Sequence, residues 1–486
     1  MSASSALQPG LPGPGAAAPP TIWTTIAYAA AAGLIVGVAA SMWGVPLPVS
    51  DNLPILLDVQ QTSLRDGLAV ALRDEGRLRP LFWVQYKALF AMSGGRYYLA
   101  FQGFHVAMFA ATVLLWVAAL RVRTVYQFAG AAVGVTVLLG LHTFGNLVRE
   151  LPITVVTCCA LAVVLAFMER PARWRDALAV INFVIAVFFV EIGLVVWVVH
   201  VAAYLCGRRG VSRGAVVALT AVCAGYFALR FLVLPAGAPP VFPRDTGFGF
   251  ANLSESELRS EYASHRYAIY LYNIAASILS VLFSEPRGGI FEFTRRVLAD
   301  ETRPWMWVNV LSSAATSVCL LWFLVRRGIT LRLSALDRDH AMIVVALAML
   351  ASNAVISYPY SRDVVMSPAG LGYALAAAVA IGWLLERAAS MPGFRRMAVV
   401  GLLLLVSIGW SMRTIGLTYS LRRTAFVNRN DWAGVEEWLN QSGRLPAGGP
   451  GRALVEQLKR ESLAFRVPNP GLAQPDAEDF FGTGTY

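Results

Sequence analysis

Charge is scarce in this chain of 486 residues: Asp, Glu, Lys and Arg make up 14% of it, against roughly 25% in a soluble globular domain. Lysine is nearly missing, with only Lys87 and Lys459 among the 40 basic residues. The arginines are scattered, with no basic run carrying interleaved aromatics, which excludes a nucleic-acid surface. The net charge of +11 reads instead as anchoring beside anionic lipid. Cysteine is limited to Cys158, Cys159, Cys206, Cys223 and Cys319, all in or beside apolar stretches. They are packing residues there, neither a disulfide framework nor a metal site. No nucleotide-binding glycine loop, HExxH, CxxC pair or Ser-His-Asp order is found. A soluble nucleotide donor therefore has no support.

Apolar residues are abundant, at 57% of the chain with a mean hydropathy of +0.58. They are bunched into windows of about 17–24 residues, the length that crosses a roughly 30 Å hydrocarbon core. An all-α polytopic membrane protein is expected, with eleven spans near 22–43, 97–120, 124–141, 151–168, 177–190, 192–206, 214–234, 304–325, 341–358, 368–385 and 397–415. The short segments 121–123, 170–175, 208–213, 326–338 and 387–396 hold 15 arginines, whereas 142–150 and 359–367 hold one each, Arg149 and Arg362. By the positive-inside rule the first set is cytoplasmic, so the N-terminus is inside and the C-terminus outside. The first 21 residues are uncharged and rich in Pro, Gly and Ala. They read as a disordered tail, and the first apolar segment as a retained span. The further window 267–284 reads as a re-entrant or interfacial segment. Amphipathic helices lying on the surface are expected in the external loops 44–96 and 235–303.

Ionisable groups at membrane depth or at span ends are the informative ones, because each costs several kcal/mol without a partner or a wet cavity. Four places stand out, all external in this topology. Asp51, in the loop after the first span with Asp58 following, suits a general base or metal ligand, and equally a helix N-cap. His142, Asn146, Arg149 and Glu150 share one short loop, where Glu150 also suits the N-terminus of the span it precedes. Glu191 stands alone between two short apolar stretches, at a turn in a thin or cavity-facing region. Arg362 and Asp363 lie beside tyrosines between two spans, the arginine placed for bidentate phosphate contact or the two forming a surface pair. His105, mid-way along the second span, reads most simply as hydrogen-bonded within the bundle. Acids facing outward with arginines near the interface favour a lipid-phosphate substrate.

Over residues 22–432 the chain resembles the integral-membrane glycosyltransferases of the GT-C fold, closest to bacterial relatives of the protein O-mannosyltransferases, including the membrane type that carries tetratricopeptide repeats. That family's first external acid, Arg-Pro-Leu and histidine-bearing second span look like Asp51 in SDNLPI, Arg79 in RPLFWVQYKALF and His105 in YYLAFQGFHVAMF. VEIGLVVWVVHVAAYL resembles its short sixth span, with Glu191 in the acid position, and YFALRFLVL its next span. SRDVVMSPAGLGYAL resembles its late Arg-Tyr motif, and RNDW its post-span Asp-Trp. The chain departs from the pattern at Asn52, Val190 and Asp363 and carries no repeat array.

The resemblance implies a GT-C-like membrane domain over 22–420 and a short external C-terminal tail, 421–486, in the inner (plasma) membrane of a bacterium. It implies transfer, with inversion, of a sugar from a polyprenyl-phosphate donor to a glycan, lipid or protein acceptor on the external, periplasmic face. Asp51 is then the base, with Glu150 and Glu191 as supporting acids. Arg149, Arg362, Arg79, Asp363 and His105 line the donor site. Arginines or a divalent cation (Mg2+ or Mn2+) neutralise the leaving phosphate. A lipid-linked saccharide flippase is the rival, and predicts polar side chains through the full membrane depth. An inactive GT-C homologue acting as an assembly partner is a third reading.

Overall fold

A chain in hydrocarbon has to pair each backbone N–H and C=O within its own segment, so apolar stretches of bilayer length fold as helices. The computed structural model describes residues 21–73, 78–142, 153–234, 246–248, 251–253, 260, 266–283, 290–327, 336–358, 363–442 and 449–469. Helix α1 (Ile22–Trp43) is followed by three short helices, α2 (Val49–Gln61), α3 (Leu64–Arg73) and α4 (Pro80–Met92). Next come α5 (Tyr97–Leu120), α6 (Val125–Gly140), α7 (Ile153–Ala166) and α8 (Arg173–Phe189). A 3-10 turn (Glu191–Gly193) opens α9 (Leu194–Leu205), and α10 (Arg213–Ala228) ends in a π turn (Leu229–Val233). Strands β1 (Thr246–Phe248) and β2 (Ala251–Leu253) pair antiparallel, with Gly247 opposite Asn252. Helices α11 (Arg266–Leu282), α12 (Ile290–Leu298), α13 (Pro304–Arg327) and α14 (Arg338–Ile356) follow. A 3-10 turn (Asp363–Met366) leads to α15 (Ser367–Ala389), α16 (Gly393–Ala433), α17 (Val435–Ser442) and α18 (Pro450–Leu463).

Seven helical segments are long and apolar enough to cross a membrane: α1, α5, Arg213–Val233, α13, α14, α15 and α16. Four more are apolar but shorter, namely α6, α7, Glu191–Leu205 and Tyr267–Leu282. The chain is an all-α polytopic membrane protein, and the hairpin holds its only strands among the described residues.

Hydrogen bonds sort the helix ends into two faces. Thr24 Oγ1 donates to Val122 O (2.6 Å), Arg121 reaches Glu169 (3.2 Å), and Asp176 accepts from Ser212 N (2.9 Å). Arg208 donates to Leu336 O (2.9 Å), and Arg338 to the carbonyls of Ala119 and Leu120. The arginine-rich turns thus gather at what is here termed the basic face. Four helices that start there are N-capped by side chains, α1 by Thr21, α6 by Thr124, α10 by Ser212 and α14 by Asp337. Each cap satisfies an amide that the first helical turn leaves unpaired. Burial pushes the Asp337 carboxyl up, but its bonds to His340 and the nearby Arg327 outweigh that and hold it below the usual range.

The core is built on close helix approach. The GAAVG run of α6 places Gly130 and Gly134 against α15, where a Cβ at Gly130 would stand 2.4 Å from Ala378 O and 2.7 Å from Gly382 N. Small residues spaced by four let helices approach to backbone contact, which is how helices associate where lipid competes with every apolar side chain. Helix α15 is accordingly buried on nearly every side. A second tie is polar. Arg413 on α16 donates from Nε to Gly140 O (3.0 Å) and from Nη1 to Ser312 Oγ (3.0 Å) and Ser313 Oγ (2.8 Å), with its guanidinium 3.9 Å from the Trp410 ring centroid.

Helix α16 runs to Ala433, so the boundary expected at 420 falls inside it. Its last turns hold the segment after α1: Asn428 Nδ2 donates to Pro46 O (2.8 Å) and Trp432 Nε1 to Leu47 O (2.7 Å). The following helices pack back on the same face. Gln60 Nε2 donates to Pro450 O (3.0 Å), Arg429 Nε to Phe465 O (2.9 Å), and the Phe465 ring meets Tyr98 with centroids 4.9 Å apart. Helix α11 starts at this opposite face, where Asn273 Nδ2 donates to Tyr358 O (3.0 Å). It ends where Leu282 O accepts from Ser317 Oγ (3.1 Å), a residue about 20 Å along α13.

Gly130→Val is expected to destabilise the protein by about 2–3 kcal/mol, since backbone on α15 has no room to give. Gly401→Val on α16, where nothing lies within 4 Å of the added Cβ, is expected to change stability by less than about 0.5 kcal/mol. Thermal unfolding of both variants in detergent checks the pair.

Candidate functional site

The opposite face gathers three elements around one carboxylate. Helix α4 begins Arg79-Pro80, with the proline at the first helical position where a missing N–H costs nothing, so Arg79 is held at the helix entrance. Val190 is extended (φ −154°, ψ 148°) and turns the chain from α8 into α9, leaving Glu191 at the head of the 3-10 turn. Only glycine fits two residues on: a Cβ at Gly193 would stand 2.2 Å from the Ala186 carbonyl carbon. Arg230 is presented by the π turn that ends α10, closed by Leu234 N donating to Leu229 O (3.0 Å). Single π turns inside helices are rare and recur at functional sites.

Glu191 is shared between the two arginines. Arg79 donates from Nε (2.9 Å) and Nη2 (2.6 Å) to Oε2, and Arg230 donates from Nη1 to Oε1 (2.9 Å). Arg230 Nη1 also donates to the Tyr226 hydroxyl (2.9 Å), and its guanidinium lies 5.3 Å from the Phe231 ring centroid. The side chains of Glu191 and Arg230 are only 17% and 13% exposed, so the pairing is poorly screened. Among the described residues two cations face one anion, which leaves a surplus positive charge. Arg230 Nε is buried and has no hydrogen-bond partner among the described residues. Tyr358 stands nearby, its ring 5.3 Å from that of Tyr270. Burial pushes the Tyr358 hydroxyl up to about 12, Tyr270 adds to the shift and Arg230 opposes it, so this phenol stays a neutral donor.

The expected site residues divide. Arg79 and Glu191 meet directly. Asp51 lies in the first turn of α2, with its side chain outside the described residues, and the adjacent Asn52 accepts from the Tyr86 hydroxyl on α4. Tyr86 leads back to Glu191 through rings, Phe82 at 5.1 Å and then Phe189 at 5.6 Å. Lys87 on the same helix is committed to the carbonyl ends of α2, donating to Val59 O and to Thr62 O (2.7 Å). Arg149, Glu150 and Arg362 lie outside the described residues, and Asp363 opens a 3-10 turn with its side chain likewise outside them. His105 does not join the cluster. It is buried on α5 with Nδ1 bonded to Phe101 O (2.9 Å) in its own helix.

Sequence reading missed Arg230 and Tyr226, although YFALRFLVL places an arginine inside an apolar run, one helical turn after a tyrosine. Among the described residues no three His, Cys, Asp or Glu side chains converge as a metal site, and both oxygens of Glu191 are taken by arginines.

Glu191→Gln is expected to destabilise the fold by about 3 kcal/mol, because two partly buried guanidinium groups lose their common counter-charge. Combined with Arg79→Gln, the loss should fall short of the sum of the single variants by about 1–2 kcal/mol. Unfolding of the two single variants and the double variant in detergent measures the shortfall.

Compared with known proteins, the chain matches no family model, no curated protein and no solved structure.

Proposed function

We propose that this chain is a membrane glycosyltransferase that moves a sugar from a polyprenyl-phosphate donor to an acceptor hydroxyl at the face opposite the basic loops. The observation that carries the reading is Arg230: a part-buried arginine with an unpartnered Nε–H, in a cluster with surplus positive charge. A phosphate group supplies what this cluster lacks, since its oxygens accept from guanidinium forks and its charge balances the excess. In this reading α6, α7, α8 and α9 cross the membrane along with the seven longer segments, giving eleven spans, and α11 does not. The basic face is cytoplasmic in a bacterial inner membrane, and transfer takes place outside.

The chemistry needs one base and one anion site. Asp51 takes the proton of the acceptor hydroxyl as that oxygen bonds to the anomeric carbon. The bond from the anomeric carbon to the phosphate oxygen breaks, and its electron pair leaves on polyprenyl phosphate. Arg79 and Arg230 stabilise the charge that develops on that oxygen, in a position fixed before the reaction. Glu191 holds both guanidinium groups in place and does not touch the substrate. Tyr358 and Tyr226 offer neutral hydroxyls beside the sugar. Inversion at the anomeric carbon follows from the single displacement.

Purified protein in nanodiscs, given a radiolabelled polyprenyl-phosphate sugar and a membrane extract, tests the proposal. Arg230→Ala is expected to raise the donor KM about 10- to 100-fold, the loss of one or two hydrogen bonds to a charged group. Asp51→Asn is expected to lower kcat about 10²- to 10⁴-fold with the donor KM little changed. Movement of the intact labelled lipid across the bilayer without sugar transfer, by wild type and variants alike, would replace the transferase with a flippase.

A further inference from the structure

At the basic face two arginines from separate parts of the chain, Arg121 and Arg208, lie within electrostatic range of a third, Arg338. Arg338 spends its Nη groups on the carbonyls of Ala119 and Leu120, with its guanidinium 5.9 Å from the Phe167 ring centroid. Arg208, just past the end of α9, spends Nη2 on Leu336 O, two residues before Arg338. Arg121 follows α5 with φ at 52°, a left-handed conformation that an arginine adopts only when its surroundings hold it there. Its Nη groups reach Glu169 (3.2 Å) and Phe167 O (3.1 Å). Both Arg208 Nε and Arg338 Nε are buried and have no hydrogen-bond partner among the described residues. Arg121, Arg123 and Arg208 all lie within electrostatic range of Arg338. The nearby acids compensate little, since Glu169 is 79% exposed and Asp339 is shared with Arg327 (3.8 Å).

We propose that Arg208 and Arg338 bind the phosphodiester of an anionic phospholipid in the leaflet at the basic face. Two unspent Nε–H donors, one on Arg338 and one on the Arg208 that bonds Leu336 O two residues before it, suit the oxygens of a phosphate, and the surrounding arginines supply the field that draws an anion there. The setting is that of a lipid headgroup. Trp174, 58% exposed, and Tyr204, stacked on Arg209 at 4.4 Å, mark a membrane–water boundary, and Leu205 beside them faces outward to meet acyl chain. This site is separate from the Glu191 cluster and does not depend on the activity proposed for it.

Native mass spectrometry of the full-length protein, equilibrated in detergent with phosphatidylglycerol, phosphatidylcholine or inorganic phosphate, tests it. Wild type is expected to retain phosphatidylglycerol at least tenfold better than phosphatidylcholine, and to hold inorganic phosphate weakly. Arg208→Gln/Arg338→Gln is expected to lower phosphatidylglycerol retention at least fivefold, whereas Arg395→Gln/Arg396→Gln, two exposed arginines at the start of α16, leaves it unchanged. If the first double variant does not fold, Arg208→Gln alone is expected to lower retention at least twofold. Equal retention of both lipids, or an equal effect of the Arg395/Arg396 variant, overturns the site. Inorganic phosphate bound as well as phosphatidylglycerol overturns the lipid assignment.

Discussion

A single carboxylate holds two guanidinium groups that the chain brings from far apart, and the opposite face is arranged around that arrangement. Glu191 has an oxygen for each arginine, and both arginines are at helix ends, where the backbone can bend to bring them in. Arg79 fixes the entrance of α4, and the π turn at Arg230 fixes the exit of α10. Removing either cation leaves the other pair intact, whereas removing the acid leaves two like charges facing each other. Among the described residues the surplus positive charge is therefore a property of this geometry.

The two faces divide polar work differently. At the basic face arginines bond mainly to helix carbonyl ends, and hydroxyl or carboxylate caps meet helix amide ends, so that face closes its own backbone. At the opposite face the polar side chains bond chiefly to each other and to loop carbonyls, and among the described residues Arg230 Nε stays unspent there, as the Nε groups of Arg208 and Arg338 do at the basic face. Between the faces, contact is made by small residues and by Arg413, which draws α6, α13 and α16 together through carbonyls and hydroxyls. A bilayer tolerates these polar groups because each is enclosed by helices.

Much of this was legible in the sequence, for physical reasons that differ by element. Apolar runs of bilayer length announce helices because a single such segment can pair its backbone groups only within itself, and seven described helical segments have the length and composition to cross. Glu191 was legible because a lone acid between apolar stretches needs a partner, whereas Arg79 was picked out only through the family resemblance of its Arg-Pro-Leu. Arg230 was not singled out, since an arginine near the end of an apolar run reads as a boundary residue until the π turn swings it toward Glu191. The packing of α16, α17 and α18 onto the segment after α1 was illegible. It rests on tryptophan and asparagine donors meeting the carbonyls of Pro46 and Leu47, which carry no side-chain signature. The GAAVG run of α6 was readable, but the partner it needed, Gly382 on α15, lies some 250 residues away.

The bonds from Asn428 and Trp432 to Pro46 and Leu47 span almost the whole chain, and they also set an order of events during synthesis. The ribosome delivers the segment around α2 first and its covering helices last, so this part of the opposite face stays uncovered while the spans between are inserted. Its carbonyls have water until then and lose it only when α16 arrives. A corner made before the intervening helices is therefore completed only after them.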